Sequence, residues 1–357
     1  MVSSKIKLLK NLIEIPSPSG FETEIANFIK QELLKTLPKN KVQVDFQNNV
    51  IATIEGTSDR TVVIDAHLDE IGFIVNNVSR EGRISINYLG GGDNSILSAR
   101  HLTILTNTGK VNAVVNRLHA HLSLDGNEAN IANITDAEVD IGIRKRAQVL
   151  KAISIGDPVV YKSHFNQLIG SYYAGYGFDD KAGCFILIEA IKEIVKSKEK
   201  PPVNLIFVFS AQEETSTKLI PIIREYKPQL CVGVDVTFAT DHLDSDDLEK
   251  EVGKCELEKG IVLARGLDLH EPTFKLAQNI AKRHKIKTQV QVNSDAGGFN
   301  PLFITSEAQG VRAMVMGIPL RNMHTPVETI NLKDLESGIK LLKSMLLSSN
   351  LRGTIEK

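Results

Sequence analysis

The feature that most constrains this chain is an alternation of short apolar runs with segments of helical periodicity. Apolar runs of strand length lie at 50–54, 61–66, 203–210, 230–236 and 311–316. Segments whose apolar residues recur at helical spacing lie at 6–13, 21–33, 181–196, 271–284 and 332–348. Strands that alternate with helices indicate a mostly parallel sheet with helices on both faces. We therefore predict an α/β fold of this type.

One stretch departs from this alternation. Its β-like runs lie at 83–88, 102–106, 111–116 and 157–161. Glycine-rich turns separate these runs, and few residues recur at helical spacing, which indicates a small β-rich domain. We predict that residues 71–163 form this domain as an insert, and that residues 1–70 and 164–357 together form the larger domain. A length of 357 residues agrees with one large and one small domain.

Composition and charge exclude several classes of protein. The net charge of −1, without a basic cluster, argues against a nucleic-acid partner. No apolar run reaches about 18 residues, and the first residues lack the apolar core of a signal peptide, so we expect no membrane partner. Cys184, Cys231 and Cys255 form no CxxC pair, which argues against a disulfide framework and favours a cytoplasmic location.

Polar side chains follow the apolar runs where strands are predicted to end. They are His67, Asp69, Glu213, Glu214, Asp235 and His324, and a further pair, Asp179–Asp180, lies in a glycine-bounded loop before a helix. The carboxyl ends of parallel strands lie at one edge of a sheet, where α/β proteins bind ligands. We therefore expect these side chains to converge in one cleft.

The chemistry of this set indicates divalent metal ions. Two histidines and several carboxylates suit Zn²⁺ or Co²⁺, with Mn²⁺ as a third candidate. These side chains come from five places in the chain, and one ligand from each would already exceed what one catalytic zinc needs. Two ions about 3.5–4 Å apart would use five ligands and activate a water. If its strand continues, Asp69 shares a face with His67 and can orient its ring. On the same assumption, Glu213 and Glu214 point to opposite sides, one as a ligand and one as a base.

Other functions fit the residues less well. A deacylase or a carboxypeptidase of related fold is the closest alternative. A metal-free glucanase could use Glu213 and Asp69 as paired carboxylates, but the chain has no tryptophan and only 5% aromatic residues for stacking sugars. A non-catalytic scaffold would be expected to have lost a ligand, and none of the five is lost.

The motifs resemble those of the M42 family of metallo-aminopeptidases, which includes glutamyl and tetrahedral aminopeptidases. In chain order they read IPSPSGFE, AHLDEIGF, IGDPVV, GFDDKAG, SAQEE, VDVTFATD, SDAGG and GIPLRNMHTPVETI. The resemblance implies a zinc-peptidase-like α/β fold, two divalent metal ions per subunit and peptide substrates cut at their N-terminal residue. It also implies that the β-rich insert drives oligomerisation, through dimers that can assemble into dodecamers.

The resemblance also implies a role for each residue. Five are implied as metal ligands: His67 and Asp235 for the first ion, Glu214 and His324 for the second, and Asp179 as the bridge. Glu213 is implied as the general base and Asp69 as the carboxylate that orients His67. Asp180 would follow the bridging residue across a cis peptide bond.

Three segments depart from the family pattern. They are Thr215 to Lys218 after the paired glutamates, Arg321 to Met323 before His324, and the tyrosine-rich 171–176 before Asp179. The ligands are unaffected, but such loops shape the pocket for the first substrate residue, so the preferred side chain stays open. Arg321 is a candidate for binding an acidic side chain, and Asp295 in SDAGG is expected near the site without an assigned role.

Overall fold

The largest sheet has eight strands with a parallel centre. The computed structural model describes residues 4–117, 131, 133–216, 218–242, 246–293 and 311–356. In sheet order the strands are β1 (Val42–Val44), β2 (Val50–Ile54), β12 (Asn204–Ser210), β3 (Thr61–His67), β13 (Leu230–Phe238), β16 (Arg312–Leu320), β14 (Ile261–Gly266) and β15 (Thr288–Asn293). The four adjacent strands β12, β3, β13 and β16 run parallel.

Helices cover both faces of this sheet. They are α1 (Ser4–Glu14), α2 (Thr23–Leu34), α4 (Phe178–Ser197), α5 (Leu219–Tyr226), α6 (Asp246–Val252), α7 (Glu271–His284), α8 (Leu332–Leu346) and α9 (Asn350–Ile355), whereas α3 (Arg146–Ala152) packs in the second unit described below. Along β3 the side chains alternate. Val62 and Ile64 join the large core with α4, whereas Val63 joins the smaller core with α5. The predicted α/β fold, with its sheet flanked by helices, is confirmed.

Helix α4 lies at the centre of the larger core. Its sequence is apolar on every side over most of its length, and a helix of this kind must be enclosed by other elements. It packs against α1 and α8 as well as β3 and β13. Phe185, Ile186 and Leu187 are fully buried, and each contributes about 1.5–3 kcal/mol to folding. The start of α4 is therefore held firmly beside the ends of β3 and β13.

A closed β-barrel forms the second unit. Its strands in order are β4 (Gly72–Val78), β5 (Ile84–Leu89), β8 (Val139–Asp140), β7 (Gly109–Val115), β6 (His101–Thr106) and β9 (Pro158–Tyr161). The interior has its own apolar cluster, which includes Phe73, Ile86 and Ile104. Closure gives each of these strands a paired neighbour on both sides. The predicted small β-rich domain is confirmed.

A three-stranded sheet joins distant parts of the chain near the start of α4. Its strands are β10 (Phe165–Gln167), β11 (Tyr172–Gly175) and β17 (Glu328–Asn331). In the antiparallel register of β11 and β17, Gly175 pairs with Glu328. Asn331 then starts α8, because its side chain accepts a hydrogen bond from the Lys333 N–H at 2.9 Å. This sheet fixes Glu328 next to the segment that leads into Asp179.

Among the described residues, no helix is long and apolar enough to cross a membrane.

Candidate active site

His67 is the last residue of β3, at the carboxyl end of the parallel strands. The register of β13 brings Asp235 beside it, because Gly233 is level with Asp65 and the two strands run parallel. His67 Nε2 lies 3.7 Å from Asp235 Oδ1. Asp235 thus approaches the histidine from within a neighbouring strand.

Asp179 lies between two histidines. Its Oδ1 atom is 3.0 Å from His67 Nε2, and its Oδ2 atom is 3.2 Å from His324 Nε2. The two oxygens of one carboxylate therefore face different histidines, as is expected of a carboxylate that two ions share. The peptide bond from Asp179 to Asp180 is cis, in agreement with the resemblance.

Glu214 completes the side of the site that contains His324. Its Oε2 atom lies 3.5 Å from His324 Nε2. Its Oε1 atom is buried and has no hydrogen-bond partner among the described residues. A buried carboxylate oxygen is costly unless it binds a donor or a cation, so this atom fits the role of a metal ligand.

The ligand atoms are grouped closely enough to bind metal. Among the described residues, two sets have ligand atoms within 4.8 Å of one another: His67 with Asp180 and Asp235, and His67 with Asp179 and Glu214. Asp180 belongs to the first set, although no metal role was predicted for it. However, the Asp180 carboxylate already accepts hydrogen bonds from two main-chain N–H groups, that of His67 at 3.2 Å and that of Gly183 at 3.0 Å.

The site contains more buried carboxylates than its own cations can neutralise. Burial, reinforced by neighbouring carboxylates, raises the pKa of Asp235 and Asp180 well above the usual range. Burial also raises the pKa of Glu213 to about 7. Such shifts mean that too little positive charge lies nearby to offset the cost of burying the ionised carboxylates. Divalent cations would supply that compensation, so this set of residues fits the metals that the family implies.

The carboxylates around the two histidines favour the protonated form of each imidazole. Burial lowers the pKa of His67, but hydrogen bonds with Asp179 and Asp69 outweigh it and raise the pKa well above 6.5. Hydrogen bonds with Asp179 and Glu214 raise the pKa of His324 to about 11. A metal ion binds the neutral imidazole, so it would take the place of these protons on Nε2.

Asp69 is arranged differently from the sequence argument. Because β3 ends at His67, Asp69 lies beyond the strand, so the argument from a shared strand face does not apply to it. The atom closest to His67 Nδ1 is the Asp69 carbonyl oxygen, at 3.1 Å, and the carboxylate Oδ1 is at 3.4 Å. The carboxylate also accepts the main-chain N–H groups of Glu213 at 2.9 Å and of Glu214 at 3.1 Å.

Glu213 and Glu214 lie in a turn that follows β12 and not in a strand, so the argument from strand alternation does not apply to them. The turn begins at Gln212, whose φ of +57° lies in the left-handed region. The two N–H bonds to Asp69 hold the turn in place. Both glutamate side chains are thereby aimed from one turn, while Asp69 connects that turn to His67.

A loop of the barrel contributes to the wall of the site. A Cβ atom added to Gly90 would lie 3.2 Å from the Glu214 Cβ, and one added to Gly91 would lie 3.2 Å from His324 Nδ1. Larger residues at these positions would push against two proposed ligands. The barrel and the main sheet therefore meet at the site.

A family model described as M42 glutamyl aminopeptidase matches residues 48–341. The chain belongs to this family. The resemblance predicted from the motifs is confirmed, and it places the chain among the peptidases.

Relatives of known name or structure support this membership along the whole chain. A lysyl aminopeptidase of Pyrococcus furiosus is 27% identical over 343 residues, which cover 95% of this chain and 96% of that protein. The crystal structure of a TET aminopeptidase from a marine sediment archaeon, Thaumarchaeota archaeon SCGC AB-539-E09, is 26% identical. It has a TM-score of 0.90 and covers 99% of this chain and 98% of its own. The TET1 peptidase of Pyrococcus horikoshii is 28% identical with a TM-score of 0.84, over 97% of this chain and all of its own. It can assemble into a tetrahedron or a large octahedral shell.

Three buried charged residues of this M42 peptidase were not predicted as site residues. Glu328 accepts N–H hydrogen bonds from the segments that contain Asp179 and His324. Lys181 and Glu70 form an ion pair of 2.6 Å between side chains that are 0% and 2% exposed. All three lie in the motifs GIPLRNMHTPVETI, GFDDKAG and AHLDEIGF, next to proposed ligands. That proximity was the only available signal.

Two further expectations concern specificity. The Arg321 guanidinium forms two hydrogen bonds with the Asp241 carboxylate, at 2.8 and 2.7 Å, and lies over the Tyr172 ring. Its charge is therefore already paired, which argues against its use for an acidic substrate side chain. Asp295, expected near the site, lies outside the described residues.

Proposed function

We propose that this M42 peptidase is an aminopeptidase that removes N-terminal residues from peptides with two divalent metal ions, Zn²⁺ or Co²⁺ or else Mn²⁺. The observation that carries the proposal is the Asp179 carboxylate, whose two oxygens face His67 and His324 separately. One ion would be held by His67, Asp179 and Asp235, and the other by Asp179, Glu214 and His324. When bound, such ions polarise a substrate carbonyl and lower the pKa of a water.

Glu213 is the proposed general base. Among the described residues Glu213, unlike Glu214, forms no ion pair with a histidine, and burial raises its pKa to about 7, a value suited to exchanging protons near neutrality. In this role Glu213 accepts a proton from the attacking water and delivers it to the leaving amine. The Asp69 carboxylate accepts a hydrogen bond from the main-chain N–H of Glu213 and so keeps the base at a fixed position.

The proposal extends to assembly and location. We propose a homo-oligomer, built from dimers and up to a dodecamer, in which the barrel forms contacts between subunits. The assembly of the Pyrococcus horikoshii relative supports this, as do the exposed Leu150 and Ile155 of the barrel unit. A cytoplasmic location is supported by three free, buried cysteines.

Removal and return of metal tests the proposal. We expect the chelated protein to be inactive on aminoacyl-p-nitroanilides and to regain activity with about two equivalents of Zn²⁺, Co²⁺ or Mn²⁺. The substrate panel should include both glutamyl and lysyl groups, because the family description names one and the Pyrococcus furiosus relative the other. If every aminoacyl substrate is inert with metal bound, N-acyl amino acids and glucans would test the deacylase and glucanase alternatives.

The pH dependence of the rate should report the ionisation of Glu213. A base must be ionised, so kcat/KM should rise with pH through the Glu213 pKa and level off above it. Burial raises that pKa to about 7, and bound cations would lower it, which places the loss of activity on the acid side of neutrality. The measurement is kcat/KM against pH with metal content checked at each point. A level rate well below this pKa, with metal retained, would contradict the assignment.

A further inference from the structure

Glu328 lies at the start of β17 and is 2% exposed. Its Oε2 atom accepts the N–H groups of Phe178 at 2.7 Å and of Asp179 at 3.3 Å. Its Oε1 atom accepts the N–H group of His324 at 3.2 Å. Among the described residues it forms no ion pair with a lysine or an arginine. A buried carboxylate with main-chain partners only is unusual, and its partners here are two proposed ligands and a neighbour of one of them.

The two oxygens of Glu328 hold two separate segments. One segment is the non-helical start of α4, which contains Asp179, and the other follows β16 and contains His324. Their side chains approach to 3.2 Å between Asp179 Oδ2 and His324 Nε2. The distance between these two ligands is therefore set partly by the span of one carboxylate behind them.

The backbone at His324 needs such support. Its φ is +58°, and that of Asn322 is +59°, so two residues with side chains adopt the left-handed region within one short loop. Conformations of this kind are unfavourable for residues with a Cβ atom and persist only where the surroundings impose them. The hydrogen bond from the His324 N–H group to Glu328 is one such restraint, and it acts on the ligand residue itself.

We propose that Glu328 is a positioning residue that fixes Asp179 and His324 at the separation required to bind the second metal ion. The inference rests on the two-metal function proposed above. Glu328 acts through the main chain of the ligands and does not itself contact metal or substrate.

Two substitutions separate this role from general stability. Glu328→Gln keeps one acceptor oxygen but turns an NH₂ group towards N–H donors, so one of the two segments loses its partner. Glu328→Asp keeps both oxygens but shortens the side chain by one methylene, so it cannot reach both segments equally well. The matched control is Asp334→Asn. Asp334 is also fully buried and accepts two N–H bonds, from Glu258 and Gly260 at 2.7 Å each, and neither partner is a proposed ligand.

The test is calorimetric titration of the metal-free full-length protein with Zn²⁺, together with the visible absorption spectrum of the Co²⁺ form. We expect Glu328→Gln to bind the second equivalent about 10–100-fold more weakly and to change the Co²⁺ spectrum. Glu328→Asp should show a smaller loss. Asp334→Asn should lower thermal stability but leave both metal affinities and the spectrum as in the unchanged protein.

If folded Glu328→Gln has unchanged Zn²⁺ affinities and an unchanged Co²⁺ spectrum, the positioning role is wrong. The proposed function would be unaffected by that result, because it is tested by metal binding to the unsubstituted protein. If Glu328→Gln does not fold, the same result for Glu328→Asp would overturn it. If the unchanged protein binds no divalent metal, both the function and the inference fail. If it binds one ion, the two-metal function and the second-ion role of Glu328 fail together.

Discussion

Glu213→Gln should lower kcat/KM for aminoacyl-p-nitroanilides by about 10²–10⁴-fold while the protein still binds about two metal ions. The substitution keeps the size of the side chain and the main-chain N–H bond to Asp69, which is 2.9 Å long. What it removes is the ability to take a proton from water. The loss should therefore appear mainly in kcat, and metal titration should give the same stoichiometry as for the unchanged protein.

The adjacent residue provides the matched control. Glu214→Gln makes the same chemical change one position along the same turn, but Glu214 lies 3.5 Å from His324 and is a proposed ligand. We expect this variant to lose affinity for one metal ion, so that added metal recovers part of its activity. Added metal should not rescue Glu213→Gln. If Glu213→Gln retains near-normal kcat, or if excess metal restores it, Glu213 is not the base.

Lys181→Met should destabilise the folded protein by about 3–5 kcal/mol. Lys181 and Glu70 are enclosed in the core at 2.6 Å, and the Lys181 ammonium also donates to the Ile15 carbonyl at 2.8 Å. Methionine fills similar space but leaves Glu70 buried without its cation. Chemical denaturation at constant pH measures the loss. The control is Lys250→Met. Lys250 forms an ion pair with Asp247 on the surface, so its loss should change the free energy of unfolding little.

The pH dependence of this loss has a definite sign. Burial already raises the pKa of Glu70, against the effect of Lys181, so without Lys181 the pKa should rise further. A carboxyl with a raised folded-state pKa destabilises the fold as the pH rises through the unfolded value and above. The deficit of Lys181→Met should therefore shrink in acid, and Lys181→Met combined with Glu70→Leu should recover most of it. A deficit of constant size at every pH would argue against an unpaired Glu70 as its cause.

Periodicity in the sequence predicted the helices that pack against the sheet on one face and the strands that are buried on both faces. The helix predicted at 271–284 is observed as α7, and the strand predicted at 50–54 is β2. The short strands β10, β11 and β17 were not predicted. They have three or four residues each, and their pairing depends on partners that lie far away in the chain. In β4 a bulge between Val75 and Asn77 breaks the alternation that marks a strand.

For the site, the sequence indicated which side chains meet but not what holds them. His67, Asp179 and His324 were predicted to converge. In the structure the Asp179 carboxylate lies 3.0 Å from His67 Nε2 and 3.2 Å from His324 Nε2. Their roles as ligands stay predictions. The position of Glu328 behind them could not be predicted, because its partners are main-chain N–H groups, which every residue except proline has. Asp69 was assigned to His67 from the spacing of the two residues and the family resemblance, and neither indicated that its carboxylate also accepts two main-chain N–H groups.

The proposed centre draws on residues from almost the whole chain, from His67 to Glu328 of 357 residues. Synthesis proceeds from the N-terminus, and domains fold as they emerge from the ribosome. A nascent chain that has emerged as far as Asp235 still lacks strand β16, His324 and the carboxylate that fixes the His324 loop. If the proposed centre is correct, we expect no peptide cleavage by the growing chain until its residues up to Glu328 have been added and folded.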